Sequence, residues 1–344
     1  ELAIKLKNQN DIHSIYTQGT DVAFTVAYCA NKTNLPGLNP DIAWSTENKI
    51  KMREKLFNSG IDKTKFMVVK NIEQLSDCKN NINFPCYVKP ADNSGSRGIT
   101  RVEKESELKF AYENAISSCL INKEVIVEEE ILGNEYSIDT IVSDGVLYNA
   151  GISDRVFNEK NIYAVQAGSI TPSLLSETKQ LQMLEIMRKI AKEFDIDNCA
   201  LKGDLVIDEN GKVKVIEIAA RTSGGFDSQV RKPISFGIDI ISATMDLSFG
   251  NEINFNDLIP KWIKWSKTFS IFPNPGIVKN IIGDKWAQNH IDIVDYKILV
   301  KRKDKILDYN DCSKRTNYFT FKSDTYDNLL RLEKKILDNY KIIT

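Results

Sequence analysis

The chain has 344 residues, of which 42% are hydrophobic and 27% charged, an ordinary balance for a globular protein with two or three subdomains. Its formal charge of -1 gives no general attraction to nucleic acid or to an anionic membrane, so neither is an expected partner. Six scattered cysteines, with no long apolar stretch and no signal-peptide pattern, predict a soluble protein of the reducing cytoplasm.

The predicted elements begin with a short β-like run at residues 14–19 and an apolar helical pattern at 21–30. A helix over about 46–59 follows, with Ser45 or Thr46 as its cap. Because the opening segment resembles the last β-α piece of a parallel domain and starts with Glu1, we expect an upstream portion outside this sequence.

Hydrophobic patterns then predict strands and helices in an α+β order with hairpins. The predicted strands lie at 66–69, 86–89, 124–129, 136–143 and 146–151, with a helix within 104–118. A long amphipathic helix over about 176–194 precedes a hairpin at 203–219. Mixed β segments beyond residue 265 and a charged helix over about 324–340 complete the chain.

The sharpest local motif is a strand that ends in Lys89 and opens into a loop of small residues at 90–98. Such a loop lets backbone N–H groups approach phosphate oxygens, while the lysine supplies a point charge. The spacing fits neither a P-loop nor a dinucleotide-binding turn. The motif therefore predicts a phosphate clamp of another kind, and its alternative is a plain hairpin loop.

A second motif is the acidic run Glu128-Glu129-Glu130 at the end of a β-branched strand. Carboxylates are costly there unless they meet donors, and adenine and ribose supply such donors. Adenine can pair with the backbone of a strand exit, and Glu135 can accept from ribose hydroxyls. The alternative is a solvated acidic edge that blocks strand aggregation.

A third motif can be argued geometrically from the dipeptide Asn210-Gly211 between two alternating β runs. Asn-Gly is typical of a two-residue type I′ turn, which would place Asp204 directly opposite Glu217. Like charges so placed are destabilising unless a divalent cation compensates them, and two carboxylates are the usual protein share of a Mg²⁺ site. Alternation also puts Arg221 on the face of Glu217. The alternative is a solvent-facing hairpin with ion pairs.

Together these motifs resemble the ATP-grasp superfamily, in particular the carbamoyl-phosphate synthase large subunit and bacterial carboxylate-amine ligases. Their order along the chain also agrees, from Asn48-Lys49 at a helix start to Arg221 after the hairpin. The resemblance covers about residues 14–270. It implies an α/β fold in which two α+β subdomains grip ATP, at 46–128 and 129–344 with an extension from about 268. Residues 1–45 would be the remnant of a preceding Rossmann-like domain.

The resemblance also implies roles for particular residues. ATP and one or two Mg²⁺ ions, replaceable by Mn²⁺, would be the cofactors, and the site falls into four groups. The catalytic residues would be Arg221 and Lys89, and the metal ligands Asp204 and Glu217. The acid substrate would meet Arg221, Ser223 and Gly224. ATP would meet Lys49, Lys89, Ser94, Gly95, Ser96, Gly98, Glu128, Glu129, Ile131 and Glu135.

One departure concerns the second metal ion. The superfamily usually has asparagine two residues after the second metal glutamate, and this chain has Ala219. A second ion would therefore be held more weakly, or mainly by Glu217 and phosphate.

The expected function is an ATP-dependent ligase that converts a small-molecule carboxylate to an acyl phosphate and joins it to an amine. A homodimer is compatible with this reading. The alternatives are a carboxylase or carbamoyl-phosphate type of enzyme and a non-catalytic ATP-binding regulatory module.

Overall fold

The computed structural model describes residues 1–157 and 165–344. Its helices are α1 Leu2–Gln9, α2 Ala23–Lys32, α3 Pro40–Glu47, α4 Lys49–Asn58, α5 Leu75–Asn81, α6 Leu108–Ser118, α7 Glu177–Glu193, α8 Lys232–Phe236, α9 Ile240–Phe249, α10 Asp284–Asn289 and α11 Tyr326–Asn339. Its strands are β1 Phe66–Val69, β2 Cys86–Pro90, β3 Thr100–Val102, β4 Val125–Glu129, β5 Gly133–Ser143, β6 Val146–Phe157, β7 Gln166–Thr171, β8 Cys199–Asp208, β9 Val213–Ala219, β10 Trp265–Phe269, β11 Gly276–Ile277, β12 Asn280–Ile282, β13 Ile293–Ile298, β14 Lys305–Ile306, β15 Asn317–Ser323 and β16 Lys341–Ile343.

A small antiparallel sheet has the strand order β1-β4-β2-β3. Helices α5 and α6 cover one of its faces, and buried residues such as Val88, Val127 and Leu108 form its core. The strands alternate, so that the opposite face of β2 carries Lys89. The small sheet thus presents a lysine on the side away from its helices.

A larger antiparallel sheet has the order β13-β15-β10-β7-β6-β5-β8-β9. Helices α4 and α7 pack on one face of its β5, β8 and β9 side, where Met52, Met187 and Leu205 lie in one core cluster. Alternation turns the neighbouring Asp204 to the other face, together with Ser137, whose hydroxyl it accepts at 2.6 Å. This polar face forms one wall of the candidate site.

The mixed α/β architecture expected from the sequence is confirmed. The small sheet lies within 66–129 and the larger one begins at residue 133. Helix α4, expected with the first subdomain, has Met52 and Leu56 in the core of the larger sheet. In the described part of the chain, no helix is long and apolar enough to cross a membrane.

Two predictions near the start of the chain are wrong. Residues 14–19 form no strand. The helix predicted over 46–59 is two helices, because the chain turns at Asn48, whose side chain accepts from the backbone of Ile50 and Lys51. Asn48 is therefore the cap of α4, and Ser45 and Thr46 belong to α3.

The hairpin prediction reached the right pairing through a wrong turn. Asp204 does lie opposite Glu217. However, Gly211 alone of the two turn residues has positive φ, at 73°, so the type I′ turn does not form. The Asp208 carboxylate accepts from the backbone of Asn210 and Lys212 and holds a longer loop. A bulge between Asp204 and Leu205 then restores the predicted register.

Candidate active site

A cleft of about 430 Å³ lies between the two sheets. It is lined by residues of the small sheet, of the polar face of the larger sheet and of the segment after β9. All the site residues predicted from the sequence line this cleft except Gly98. Gly98 lies at the base of the glycine loop, where an added Cβ would be 2.5 Å from the Cβ of Ser118.

The glycine loop forms one rim of the cleft. Gly95 and Ser96 have positive φ of 64° and 63°, the left-handed region that favours glycine. The N–H of Cys312, from the C-terminal part of the chain, donates to the carbonyl of Gly95 at 3.1 Å. The loop is therefore held against the far wall of the cleft.

Lys49 enters the cleft from the start of α4. Its Nζ lies 3.1 Å from a carboxylate oxygen of Glu217 and donates to the carbonyl of Asn93 at 2.6 Å. Burial alone would lower the pKa of Lys49, but the charge and hydrogen bond of Glu217, together with the charges of Asp21 and Glu128, outweigh burial and raise it. The ammonium is thus a fixed positive charge between the glycine loop and β9.

Glu128 is buried beneath the cleft between two cations. Its carboxylate accepts from Lys89 at 2.5 Å and from Arg53 at 2.8 Å. Arg53 also donates to the carbonyl of Val215 at 2.9 Å and so connects α4, β4 and β9. Burial would raise the pKa of Glu128, but the two cations lower it to about 2. Its side chain therefore fixes Lys89 in place.

The Asp204 carboxylate contacts three polar side chains in the cleft. One oxygen accepts the Ser137 hydroxyl at 2.6 Å, and the other lies 2.6 Å from Lys202 and 3.3 Å from Arg155. Burial would raise the pKa of Asp204, but Arg155 and Lys202 hold it well below its usual range. Asp204 and Glu217 thus each have their own cation, and the expected uncompensated repulsion between them is absent.

Arg155 connects Asp204 with Glu135, the residue predicted to bind ribose. Its guanidinium lies 2.7 Å from Glu135, one position beyond the Tyr136–Asp154 pair of the β5–β6 ladder. Burial nevertheless raises the pKa of Glu135.

Between β4 and β5, the backbone N–H of Ile131 has no acceptor within the described residues, which leaves it available to a ligand at the cleft.

Arg221 lies two residues beyond the end of β9 and lines the same cleft as Glu217. Its guanidinium pairs with Asp21, donating from Nε at 2.8 Å, and with the carbonyl of Thr222 at 2.8 Å. Asp21 belongs to the opening segment of the chain. That segment therefore supplies a side chain to the site.

A buried ionic cluster holds the loop after Arg221. The N–H of Ser223 donates to Asp139 at 2.8 Å. Lys232, fully buried, lies 2.7 Å from Asp139 and 3.0 Å from Asp227. Arg231 lies 3.0 Å from Asp227. Since both carboxylates and both cations are compensated, the cluster fixes the path of this loop over the sheet.

Sequence reasoning missed several charged residues that line the cleft, chiefly Asp21, Arg53, Arg155, Lys202 and Arg231. The sequence feature that could have pointed to Arg155 is the Asp144-Gly145 dipeptide. Its residues have positive φ of 52° and 74°, as a type I′ turn requires. The turn alone would put Asp154 opposite Glu135, and a bulge between Ile138 and Thr140 moves Arg155 there instead.

Two sheets enclose a cleft lined by lysines, a glycine loop and a paired Asp and Glu, which is the arrangement that the resemblance to the ATP-grasp superfamily implies. Residues 82–229 match the family of the ATP-grasp domain. The chain therefore carries an ATP-grasp domain, which confirms the resemblance drawn from the sequence.

Proteins similar to this chain include ligases. The chain is 26% identical over 276 residues to the alanine–anticapsin ligase of Bacillus subtilis, covering 73% of this chain and 57% of that protein. It is also 26% identical to the D-alanine–D-alanine ligase of Geobacillus thermodenitrificans, over 59% of this chain and 58% of the ligase. The chain thus spans little more than half the length of these relatives.

Solved structures show the same fold. The L-amino acid ligase from Bacillus licheniformis superposes with a TM-score of 0.85 at 20% identity, covering 99% of this chain and 83% of that one. The phosphoribosylglycinamide synthetase from Anaerococcus prevotii gives a TM-score of 0.72 at 22% identity, covering 100% and 85%.

Proposed function

We propose that this protein is an ATP-dependent ligase that phosphorylates a small-molecule carboxylate to an acyl phosphate and joins it to an amine, releasing ADP and phosphate. The observation that carries the proposal is the charge arrangement of the cleft. Asp204 and Glu217 lie opposite each other, and each is paired with a lysine that phosphate could take over. Phosphoryl transfer depends mainly on such positioning and charge neutralisation.

The residues of the cleft fit a Mg²⁺ ion that is delivered with a nucleotide. Two opposed carboxylates suit a magnesium site whose other ligands are waters and phosphates. The described residues contain no group of three or more histidine, cysteine or acidic side chains able to hold a metal alone. We assign Asp204 and Glu217 as the ligands. The ion would stabilise charge on the phosphates.

The nucleotide assignment follows the walls of the cleft. We assign Lys49, Lys89 and the loop Ser94–Ser96 to the phosphates, with Gly98 shaping the base of that loop. The backbone of Glu129 and Ile131 would receive adenine, supported by the free N–H of Ile131 in the described region. Glu135 would meet ribose, and Glu128 would act by holding Lys89.

The acid substrate is assigned to the segment after β9. Arg221 can hold two oxygens of a carboxylate or acyl phosphate at once, and Ser223 and Gly224 lie beside it in the cleft lining. The similarity to ligases of amino acids favours an acid and an amine that are both small. We further propose a cytoplasmic location and the division into 1–45, 46–128 and 129–344.

The test is a screen of carboxylic acids crossed with amines for ADP release, with hydroxylamine as a trap. An acyl phosphate reacts with hydroxylamine to a hydroxamate, which identifies the activated acid before the natural amine is known. Glu217→Gln should abolish release, and Glu209→Gln, an exposed carboxylate of the same hairpin, should not.

The alternatives give different results in the same screen. ADP release that requires bicarbonate and no other acid would assign a carboxylase or carbamoyl-phosphate type of reaction. ATP binding by calorimetry without ADP release under any combination would leave a non-catalytic ATP-binding module and refute the proposal.

A further inference from the structure

The position opposite Lys202 on the hairpin carries no metal ligand. Lys202 pairs directly with Ala219 across the β8–β9 ladder. Directly opposed residues share a face with Cβ atoms about 5 Å apart, so a larger side chain at 219 would compete with the lysine for space. The small Ala219 leaves that space to Lys202.

The ammonium of Lys202 lies at the metal carboxylate itself. Its Nζ is 2.6 Å from one oxygen of Asp204, and its side chain is only 12% exposed. Arg155, the other cation on that oxygen, is also paired with Glu135 at 2.7 Å. Lys202 has Asp204 as its carboxylate partner among the described residues. A divalent ion on Asp204 would therefore release Lys202 to another anion.

We propose that Lys202 supplies the positive charge that a second divalent ion would otherwise bring, so that the site works with one metal ion and one lysine. The inference rests on the proposed function, because the released ammonium is assigned to the phosphoryl group in transfer. A lysine is a compact point charge with rotatable donors and suits a group that changes position. Lys202 would then be a catalytic residue, and Ala219 the change that accommodates it.

The first test counts metal ions without turnover. The protein is saturated with the non-hydrolysable analogue β,γ-methylene-ATP and titrated with Mn²⁺, and free Mn²⁺ is followed by electron paramagnetic resonance. One tightly bound ion per chain is expected in the wild type. In the double variant Lys202→Gln with Ala219→Asn, which supplies an amide oxygen and removes the ammonium, a second ion is expected. Two tight ions in the wild type would overturn the inference.

The second test measures how kcat depends on the positive charge of Lys202. Lys202→Gln should lower kcat by on the order of 100-fold, as expected for loss of one charge that stabilises the transition state. Its affinity for the ATP analogue should change by less than about threefold, and Lys202→Arg should recover part of the loss. The exposed Lys212 on the same hairpin provides the matched control, Lys212→Gln, with unchanged kcat.

The outcomes separate this inference from the proposed function. If the wild type binds the analogue with Mn²⁺ and turns over, but Lys202→Gln keeps full kcat, the role of Lys202 is wrong and the ligase stands. If no acid and amine support ADP release, the proposed function is wrong. If Lys202→Gln fails to fold, the kcat of Lys202→Arg and the number of Mn²⁺ ions bound by the wild type still test the role of Lys202.

Discussion

Replacing Asp204 by asparagine should destabilise the metal-free protein. From the sequence alone, removing one of two opposed carboxylates would relieve repulsion and could raise stability. The structure reverses this expectation, because the Asp204 carboxylate lies 2.6 Å from Lys202 and 3.3 Å from Arg155. Asparagine keeps the shape and removes the charge, so the two cations lose the group that compensates them.

The expected loss of unfolding free energy in Asp204→Asn follows from the exposure of these charged groups. Removing one partner of a fully buried ion pair costs about 3 to 5 kcal/mol. Lys202 and Arg155 are 12% and 14% exposed, and Arg155 keeps Glu135, so the loss should fall at or below the lower end, about 2 to 3 kcal/mol. Unfolding entropy of about 2.1 cal/mol/K per residue, over 344 residues, then gives a fall in Tm of about 3 to 4 °C.

The measurement is urea and thermal unfolding of the wild type and Asp204→Asn in buffer with a chelator. The matched control is Asp324→Asn, because its pair with Lys264 is 3.3 Å long with side chains 47% and 83% exposed. That control should change stability by less than about 0.5 kcal/mol. Equal or greater stability of Asp204→Asn would refute the reasoning and restore repulsion with Glu217.

The same variant has a defined pH dependence. The pKa of Asp204 is lowered in the folded protein, so its contribution is present above the ordinary carboxyl pKa of about 4 and is lost as pH falls toward the folded pKa. The difference between wild type and Asp204→Asn should therefore be constant near neutrality and shrink below about pH 4. A difference that grows on acidification would contradict the assignment.

Three further substitutions test the site and its support. Lys49→Met should weaken ATP binding by about 10-fold or more, since a charge-assisted bond contributes about 1.5 to 3 kcal/mol, and unchanged affinity by calorimetry would count against the nucleotide site. Arg221→Lys should lower kcat/KM for the acid by on the order of 100-fold while ATP affinity stays, because lysine lacks the planar fork; a loss confined to ATP would reassign Arg221 to the nucleotide. Lys232→Met should cost about 3 to 5 kcal/mol in urea unfolding, because it leaves Asp139 and Asp227 with an uncompensated buried charge; a cost below about 1 kcal/mol would show that the cluster is not stabilising.

Local pattern predicted most of the elements that carry the site. Strand β1 was placed at 66–69, as the structure has it, and the strand that ends near Lys89 and the one that ends at Glu129 were also found. Such strands combine β-branched residues with alternation, which a single sequence displays. The order of the motifs from Lys49 to Arg221 predicted the ATP-grasp class, which the match of residues 82–229 confirms.

Bulges could not be predicted, because tertiary packing decides where a ladder takes up an extra residue. The pairing of Asp204 with Glu217 needed an extra residue in β9, Ile216, to offset a longer turn. The pairing of Arg155 with Glu135 needed another extra residue, in β6 between Asn149 and Ile152. Neither is encoded in alternation alone.

By itself, the sequence determined the class of the protein and the residues available for its chemistry, because those depend on motif order and residue type. Only the tertiary structure decided which charged side chains form ion pairs with each other. Arg53 lies in a helix whose pattern does not mark it as buried, yet it is 1% exposed and holds Glu128. Asp21 and Arg221 are far apart in the chain and meet in one cleft. Long-range ion pairs form when separate elements pack together, and local propensity carries no record of that packing.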